Sequence, residues 1–246
     1  MLPQATYYAW SSQRYFLKHG MHTSFIIPTG NLGNAFACFI AKEMGFPIEN
    51  IVFATNANRT IPDFLETGFW QPRPTIPTLA SAMDVGNPSN MERFFHVFDN
   101  PETLLDTLRA VSVTDEQITN QISSEYLDNQ ILCCPHTATA LHVYREFSNA
   151  EKKETHWCIV ATAHPSKFEQ TVEPIIGEEI AVPERLRALL ELDSSFVTID
   201  PELNQLIEGQ QTEVDFVNIK REINRLLFTM QVQISNPDRQ LILIGK

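Results

Sequence analysis

The sequence predicts an α/β protein with a doubly wound, mostly parallel sheet and helices on both faces. Its 246 residues, 43% of them hydrophobic, can bury a full core. Short apolar runs alternate with segments of helical period from the N-terminus onward. Two of these runs, 23–27 and 156–163, end in a turn that opens a helix. Crossover helices of this kind must pack back onto the sheet that they connect.

The first part of the chain alternates helix and strand, and glycines end its helices. Each apolar run is too short for a buried helix and fits a buried strand. The predicted elements are a helix before Gly20, a strand over 23–27, a helix over 31–46 ending at Gly45, a strand over 48–56 and a helix over 60–68 stopped by Gly68.

The middle of the chain begins with an irregular segment. Residues 69–90 are rich in Pro, Ser and Asn, and we expect them to be ordered and to line a site. Helical patterns then resume, with Thr114 near one cap and Pro135 in the first turn of another helix. The predicted helices cover 90–99, 101–111, 114–127, 135–147 and 164–177, and a second clear buried strand covers 156–163.

Beyond residue 180 the pattern is helical and peripheral. Residues 183–192, 200–209 and 214–232 predict helices, and 239–246 predicts a short strand or a frayed end. We find no internal repeat or low-complexity tract. The last part of the chain therefore carries no motif that suggests chemistry.

Charge and hydropathy exclude two classes of partner. The formal net charge is −12, and no cluster of Lys or Arg interleaves with aromatic residues, so a nucleic acid would be repelled. No apolar run reaches the length of roughly 18 residues that a membrane helix needs. The N-terminus also lacks a basic region followed by an apolar one. We expect a cytoplasmic protein without membrane contact.

The cysteines and histidines predict no metal site. The four cysteines have no C-x-x-C spacing, and the seven histidines form no H-E-x-x-H pattern. Neither a structural zinc nor a disulfide framework is indicated. We interpret the four thiols, Cys38, Cys133, Cys134 and Cys158, as buried and inert.

The loop 28–34 (PTGNLGN) follows the first strand and opens a helix. Its two glycines allow a close backbone approach, and N–H groups at a helix N-terminus suit a phosphate. An ordinary tight turn explains the same residues. The Walker and dinucleotide fingerprints are both incomplete, which disfavours nucleotides and leaves a small phosphorylated cofactor.

A second loop, 161–165, lies at the end of the apolar run HWCIV, residues 156–160. Ligands of open parallel sheets bind beyond the carboxyl ends of the strands. Thr162 therefore offers a hydroxyl to the same crevice, although a strand-end Thr also serves as a cap or packing residue. His164 precedes a proline, and we expect it to orient the turn.

Four motifs in fixed order carry a family resemblance. They lie at 28–68, at 78–94 (TLASAMDVGNPSNMERF), at 134–147 (CPHTATALHVYREF) and at 161–172 (ATAHPSKFEQTV). Together they resemble the C-terminal half of threonine synthase, a pyridoxal 5′-phosphate enzyme of the tryptophan synthase β-type fold (fold type II). The resemblance implies that 1–205 is a C-terminal, large-domain portion of such an enzyme and that 206–246 is a helical extension.

The resemblance also implies a reaction and a site. Threonine synthases convert O-phospho-L-homoserine and water into L-threonine and phosphate, a step of amino-acid biosynthesis. Thr162 would be the hydroxyl partner of the pyridine nitrogen. Asn34 stands where many relatives have Asp. The residues implied around the cofactor phosphate are Gly30, Asn31, Leu32, Gly33 and Asn34.

Other implied positions leave alternatives open. The segment 81–90 is a hallmark of the family, and Ser89 and Asn90 either contact the substrate or belong to a loop that supports the site. Pro135 to Thr137 would begin a helix near the wall of the site. Arg59 stands where many relatives carry Asp, so it is a doubtful ligand.

The essential lysine of the family, which forms a Schiff base with the cofactor, is missing together with its A-F-K-D-type motif. Lys167 is the nearest candidate and a weak one, so we assign no catalytic residue. We interpret the chain as a fragment whose uncovered apolar surface favours self-association. It is either half of an enzyme completed by an N-terminal polypeptide or an inactive or interaction domain that keeps the phosphate site.

Overall fold

The computed structural model describes residues 2–98, 101–184, 187 and 243–244. The residues up to 181, with 243–244, form one compact unit around a parallel sheet. Five strands of the described chain pair in the order β3-β2-β1-β4-β5. They are β1 (Thr23–Pro28), β2 (Ile48–Thr55), β3 (Arg109–Ser112), β4 (His156–Ala161) and β5 (Leu243–Ile244).

Strand β1 lies at the centre of the sheet and is buried along its whole length. Its residue Ile26 is in register with Val52 of β2 on one side and with Ile159 of β4 on the other. A strand covered on both faces needs a continuous apolar run, as in FII of TSFIIP. The carboxyl ends of β1 and β4 are thereby neighbours.

Nine helices surround the sheet in the described chain, and none of them is long and apolar enough to cross a membrane. Two 3-10 turns cover Ser81–Met83 and Pro165–Phe168. The helices are α1 (Leu2–His19), α2 (Gly33–Glu43), α3 (Thr60–Thr67), α4 (Met91–Val97), α5 (Pro101–Thr107), α6 (Asp115–Asn129), α7 (Pro135–Glu146), α8 (Asn149–Glu154) and α9 (Glu169–Ile176).

Two hydrophobic cores cover opposite faces of the sheet. Phe25 and Ile27 of β1 belong to the core formed with α1 and α2, whereas Ile26 belongs to the core formed with α6 and α7. Successive side chains of a strand point to opposite faces, so one strand supplies both cores. The predicted fold class, a doubly wound parallel sheet with helices on both faces, is confirmed.

One predicted helix was too long, and one short helix was missed. The helix predicted over 101–111 ends at Thr107, and Arg109–Ser112 forms β3 beside β2. Backbone pairing with an existing strand outweighed the weak helical pattern of these four residues. The short helix α8 was not predicted, although Ser148 and Glu151 form a capping box at its start. Apart from residues 183, 184 and 187 and strand β5, the helices predicted beyond residue 180 and the extension over 206–246 lie outside the described residues.

Candidate active site

The loop after β1 turns sharply into α2. The hydroxyl of Thr29 accepts a hydrogen bond from the Leu32 backbone N–H at 3.2 Å, and Leu32, with a φ of 62°, adopts a left-handed conformation. Such a conformation is costly for a branched residue and persists only where the surroundings enforce it. The first N–H groups of α2 have no partner within the helix and carry the positive end of its dipole. These N–H groups are therefore donors that need an acceptor outside the helix.

Gly30 lies against the 3-10 turn over Ser81–Met83. A Cβ added at Gly30 would stand 2.7 Å from both Cα and the carbonyl oxygen of Met83. Only a residue without a side chain allows this approach. The glycine of the loop is thus required by packing, before any ligand is considered.

Ser89 and Asn90 hold this loop from outside. Asn90 Nδ2 donates to the Asn31 carbonyl at 2.8 Å, and Ser89 Oγ donates to Asn31 Oδ1 at 3.1 Å. Neither residue lines the cavity described below. Of the two interpretations left open, these contacts favour support of the loop over direct substrate contact.

The irregular segment 69–90 is tied to the carboxyl end of β2. Asp84 accepts hydrogen bonds from Asn56 Nδ2 at 2.7 Å and from Thr78 Oγ1 at 2.6 Å. Asn56 is fully buried, so its side chain needs such a partner. The segment is ordered, as predicted, and these bonds place Met83 against the loop after β1.

The two predicted loops meet at one cavity of about 280 Å³. Thr162, directly after β4, lines this cavity, and its hydroxyl oxygen is buried without a hydrogen-bond partner among the described residues. A buried hydroxyl left unpaired costs free energy, so this oxygen has a hydrogen-bonding capacity that the described residues do not use. The loop residues Gly30, Asn31, Leu32, Gly33 and Asn34 line the same cavity.

His136, in the first turn of α7, forms another part of the cavity wall. Its Nε2 accepts a hydrogen bond from the Ala82 backbone N–H at 3.0 Å, and its ring lies 4.8 Å from the Phe168 ring. Burial lowers the pKa of His136 to about 4, so the imidazole is neutral at physiological pH. The sequence indicated only a helix start near the wall; a histidine in the first turn of a buried helix was the available signal.

Asn34 is fixed by two tyrosines of α1. Its side-chain oxygen accepts hydrogen bonds from the hydroxyls of Tyr7 and Tyr8. Burial raises the pKa of Tyr7 to about 12 and that of Tyr8 well above its ordinary value, so both hydroxyls keep their protons. The sequence pattern of α1 predicted a helix but gave no sign of this polar contact.

The remaining predicted residues lie away from the cavity. His164 Nδ1 accepts a hydrogen bond from the Ser166 N–H at 3.2 Å, which confirms that His164 orients the turn. The Arg59 guanidinium forms ion pairs with Asp63 at 3.0 Å and with Glu66 at 3.3 Å. Its contacts are therefore to helix α3, which it precedes. Lys167 is exposed, and none of the lysines within the described ranges lines the cavity.

The cysteines are buried, as predicted, and none is in a disulfide. Burial raises the pKa of Cys158 to about 12 and also raises those of Cys38 and Cys133. These three thiols are therefore protonated and poorly nucleophilic. The part of the chain that the structure describes holds no cluster of His, Cys, Asp and Glu suited to a metal ion.

Comparison with known proteins decides the family. Residues 6–163 match the family model of pyridoxal-phosphate dependent enzymes, and residues 137–208 match the model of the C-terminal part of threonine synthase. The threonine synthase of Buchnera aphidicola from Schizaphis graminum is 37% identical over 182 residues, 74% of this chain. The chain belongs to the threonine synthase family of pyridoxal-phosphate dependent enzymes. The predicted cofactor is thus confirmed at the level of the family.

Solved threonine synthases share the fold. The pyridoxal-phosphate-bound enzyme of Brucella melitensis has a TM-score of 0.73 at 28% identity over 85% of this chain. The enzyme of Escherichia coli has a TM-score of 0.61 at 31% identity over 70% of the chain. The assignment to fold type II is confirmed by these neighbours.

The chain covers only part of its relatives. It spans 42% of the Buchnera relative, 38% of the threonine synthase of Serratia marcescens and 49% of the solved Brucella chain. The Serratia relative is 37% identical over 166 residues, 68% of this chain. More than half of each threonine synthase therefore has no counterpart in these 246 residues.

Proposed function

We propose that this chain is the cofactor-phosphate-binding part of a threonine synthase. Together with a complementary polypeptide, it would convert O-phospho-L-homoserine and water into L-threonine and phosphate. The observation that carries the proposal is the unpartnered hydroxyl of Thr162, which lies on the same cavity as the glycine loop. A phosphorylated pyridine requires such a pair of positions, one for its phosphate and one for its ring nitrogen.

The residues of the cavity fit this cofactor. The N-terminus of α2 offers N–H donors and a favourable dipole to the phosphate, and Gly30 keeps the backbone close to Met83. In the proposed site Gly30, Asn31, Leu32, Gly33 and Asn34 surround the phosphate. Thr162 Oγ1, on the loop after β4, would be the hydrogen-bond partner of the pyridine nitrogen.

The identity of the residue at the pyridine nitrogen has a chemical consequence. When bound, pyridoxal phosphate supplies an electron sink for the reacting substrate carbons. The Thr162 hydroxyl is neutral and does not hold the ring nitrogen protonated as a carboxylate would. A weaker sink suits elimination and replacement of a phosphate group. Thr162 thus serves the proposed reaction by position and by lack of charge.

The lysine of the reaction must come from elsewhere. Among the described residues no lysine lines the cavity, and the family motif that carries the lysine is missing from the sequence. We therefore propose that the isolated chain binds the cofactor without catalysing the reaction. The unit over 1–205, the extension over 206–246 and a cytoplasmic location stay predictions.

The same absence favours a second candidate, an inactive domain that keeps the phosphate site and acts by interaction alone. Both candidates predict binding of pyridoxal phosphate by the purified chain. They differ in whether any complementary polypeptide restores catalysis.

The test is reconstitution. The full chain is mixed with the part of the Serratia marcescens threonine synthase that it does not match, together with pyridoxal phosphate and O-phospho-L-homoserine. Phosphate release and L-threonine are measured, with each polypeptide alone as the control. Product from the mixture only supports the split enzyme. Retained cofactor binding without product supports the inactive domain, and product from this chain alone would contradict both.

A further inference from the structure

His136 has one nitrogen whose partner is not in the protein. Its side chain is almost completely buried, with 3% of its surface exposed, and it lines the cavity. The Ala82 N–H donates to Nε2, so Nε2 carries no proton and the neutral ring carries its proton on Nδ1. Nδ1 is buried and has no hydrogen-bond partner among the described residues. His136 therefore presents an unused N–H donor.

The position of this donor relates it to Thr162. Three buried side-chain polar atoms lack a partner in the described part of the chain: His136 Nδ1, Thr162 Oγ1 and Thr23 Oγ1. The first two belong to residues that line one cavity, whereas Thr23 lies at the other end of β1. Folded proteins rarely leave such groups unpaired without a reason, because each costs about 1–3 kcal/mol. A ligand bound in the cavity explains both unpaired atoms, His136 Nδ1 and Thr162 Oγ1.

We infer that His136 donates a hydrogen bond from Nδ1–H to an oxygen of the bound pyridoxal phosphate, as a polar anchor separate from the phosphate loop. The inference rests on the proposed function for the identity of the ligand. The acceptor is a phosphate oxygen or an oxygen on the pyridine ring, and both need the same N–H donor.

The surroundings of His136 keep it a neutral donor. Burial disfavours the charged ring, and the first turn of α7 places the imidazole near the positive end of the helix dipole. Phe168 packs against the ring, and the Ala82 N–H fixes its rotation. The side chain is thus held in one tautomer and one orientation before the ligand arrives, which lowers the entropy cost of binding.

Two substitutions separate the nitrogens. The amide of Asn reaches about as far as Nδ1, so His136→Asn retains a donor at the place of Nδ1–H. The amide of Gln reaches about as far as Nε2, so His136→Gln retains an acceptor for Ala82 and loses the donor. Dissociation constants for pyridoxal phosphate are measured on the full chain by equilibrium dialysis. We expect H136Q to weaken binding by about 10-fold or more, and H136N by about 3-fold or less.

Inorganic phosphate and pyridoxine identify the acceptor. If H136Q loses affinity for phosphate, the acceptor is a phosphate oxygen; if it loses affinity for pyridoxine, the acceptor is on the ring. Thermal melting shows whether both variants fold. If either does not, the ¹⁵N signal of His136 Nδ1 in the unmodified chain decides, since a hydrogen bond shifts it on addition of pyridoxal phosphate.

The inference is overturned if H136Q binds pyridoxal phosphate as tightly as the unmodified chain, or if the Nδ1 signal does not move. A chain that binds none of the three compounds overturns it as well. The proposed reaction fails separately, when the reconstituted mixture forms no threonine although pyridoxal phosphate still binds.

Discussion

The hydroxyl of Tyr8, buried on α1, donates a hydrogen bond to Asn34 Oδ1 across 2.9 Å and so connects the first helix to the end of the glycine loop over 28–34. The hydroxyl of Tyr7 donates to the same oxygen. With its oxygen engaged twice, the side chain of Asn34 has its N–H₂ group left as a donor at the cavity that it lines. Helix α1 thus orients Asn34, at the end of the glycine loop that follows β1.

We expect Tyr8→Phe to lower the free energy of unfolding by about 1 kcal/mol, because it removes one partly buried hydrogen bond and leaves the packing of the ring unchanged. Affinity for pyridoxal phosphate should fall as well, since Asn34 loses part of its orientation. Urea unfolding and equilibrium dialysis measure the two effects. The matched control is Tyr15→Phe, since the described part of the chain provides no hydrogen-bond partner for the Tyr15 hydroxyl. Equal stability of Y8F and the unmodified chain would disprove the structural role.

The loop glycines should differ in their tolerance of a methyl group. Gly30→Ala places a Cβ 2.7 Å from the backbone of Met83, so we expect a loss of about 1–3 kcal/mol of stability without any ligand. At Gly33 the nearest atom to an added Cβ is Asn90 Nδ2 at 3.6 Å, an ordinary contact. Gly33→Ala should therefore leave the melting temperature nearly unchanged. Equal melting temperatures for the two variants would contradict this account of Gly30.

Thr162 and Thr23 form a pair for separating stability from binding. Both hydroxyls are buried without a partner among the described residues, so Val at either position should keep or raise stability. Only Thr162 lines the cavity. We expect Thr162→Val to weaken binding of pyridoxal phosphate by about 10-fold and Thr23→Val to leave it unchanged. Unchanged binding by T162V would remove the main support for the proposed cofactor position.

Stability should depend on pH through His136. The folded pKa of about 4 lies below the ordinary value of 6.5, so the unfolded chain takes up a proton first as the pH falls. The contribution of neutral His136 to the free energy of unfolding is complete above about pH 6.5. It is lost between that pH and pH 4, and the loss is at most about 3 kcal/mol. Asp84 opposes part of this shift, because its charge raises the pKa. Urea unfolding from pH 4.5 to 7 should therefore show a smaller decline for H136N.

Burial also lowers the pKa values of His142 and His156. These two histidines contribute a similar loss of stability at low pH to the unmodified chain and to H136N. The difference between the two stability curves therefore isolates His136. Parallel stability curves for the two proteins would show that His136 titrates normally in the folded state.

The central strands could be predicted from the sequence because burial on both faces imposes long apolar runs, as in β1 and β2. Strand β3 could not be predicted in this way. Arg109–Ser112 is partly exposed, and in the described sheet this strand pairs with β2 alone. The start of α6 was predicted correctly: Thr114 caps it, and Gln117 is the reciprocal partner in a capping box. Short elements whose stability comes from a neighbour leave little trace in a single sequence.

The candidate site was predictable where backbone conformation matters and unpredictable where distant side chains meet. The glycine loop and Thr162 stand at strand ends, so topology alone placed them near one crevice. The contacts of Asn34 with Tyr8, and of Ala82 with His136, join residues from different parts of the chain. Nothing in local periodicity marks such pairs, because each pair joins two elements that are separate in the sequence.

The sheet order has a consequence for how the chain folds. Strand β1 pairs on one side with β2, the next strand in sequence, and on the other with β4, which follows several helices later. During synthesis the glycine loop can acquire its shape against β2 while Thr162 has yet to be made. The Thr162 hydroxyl joins the cavity only when β4 pairs with β1, a late contact of high sequence separation. The nascent chain would therefore become competent to bind its cofactor in one late step.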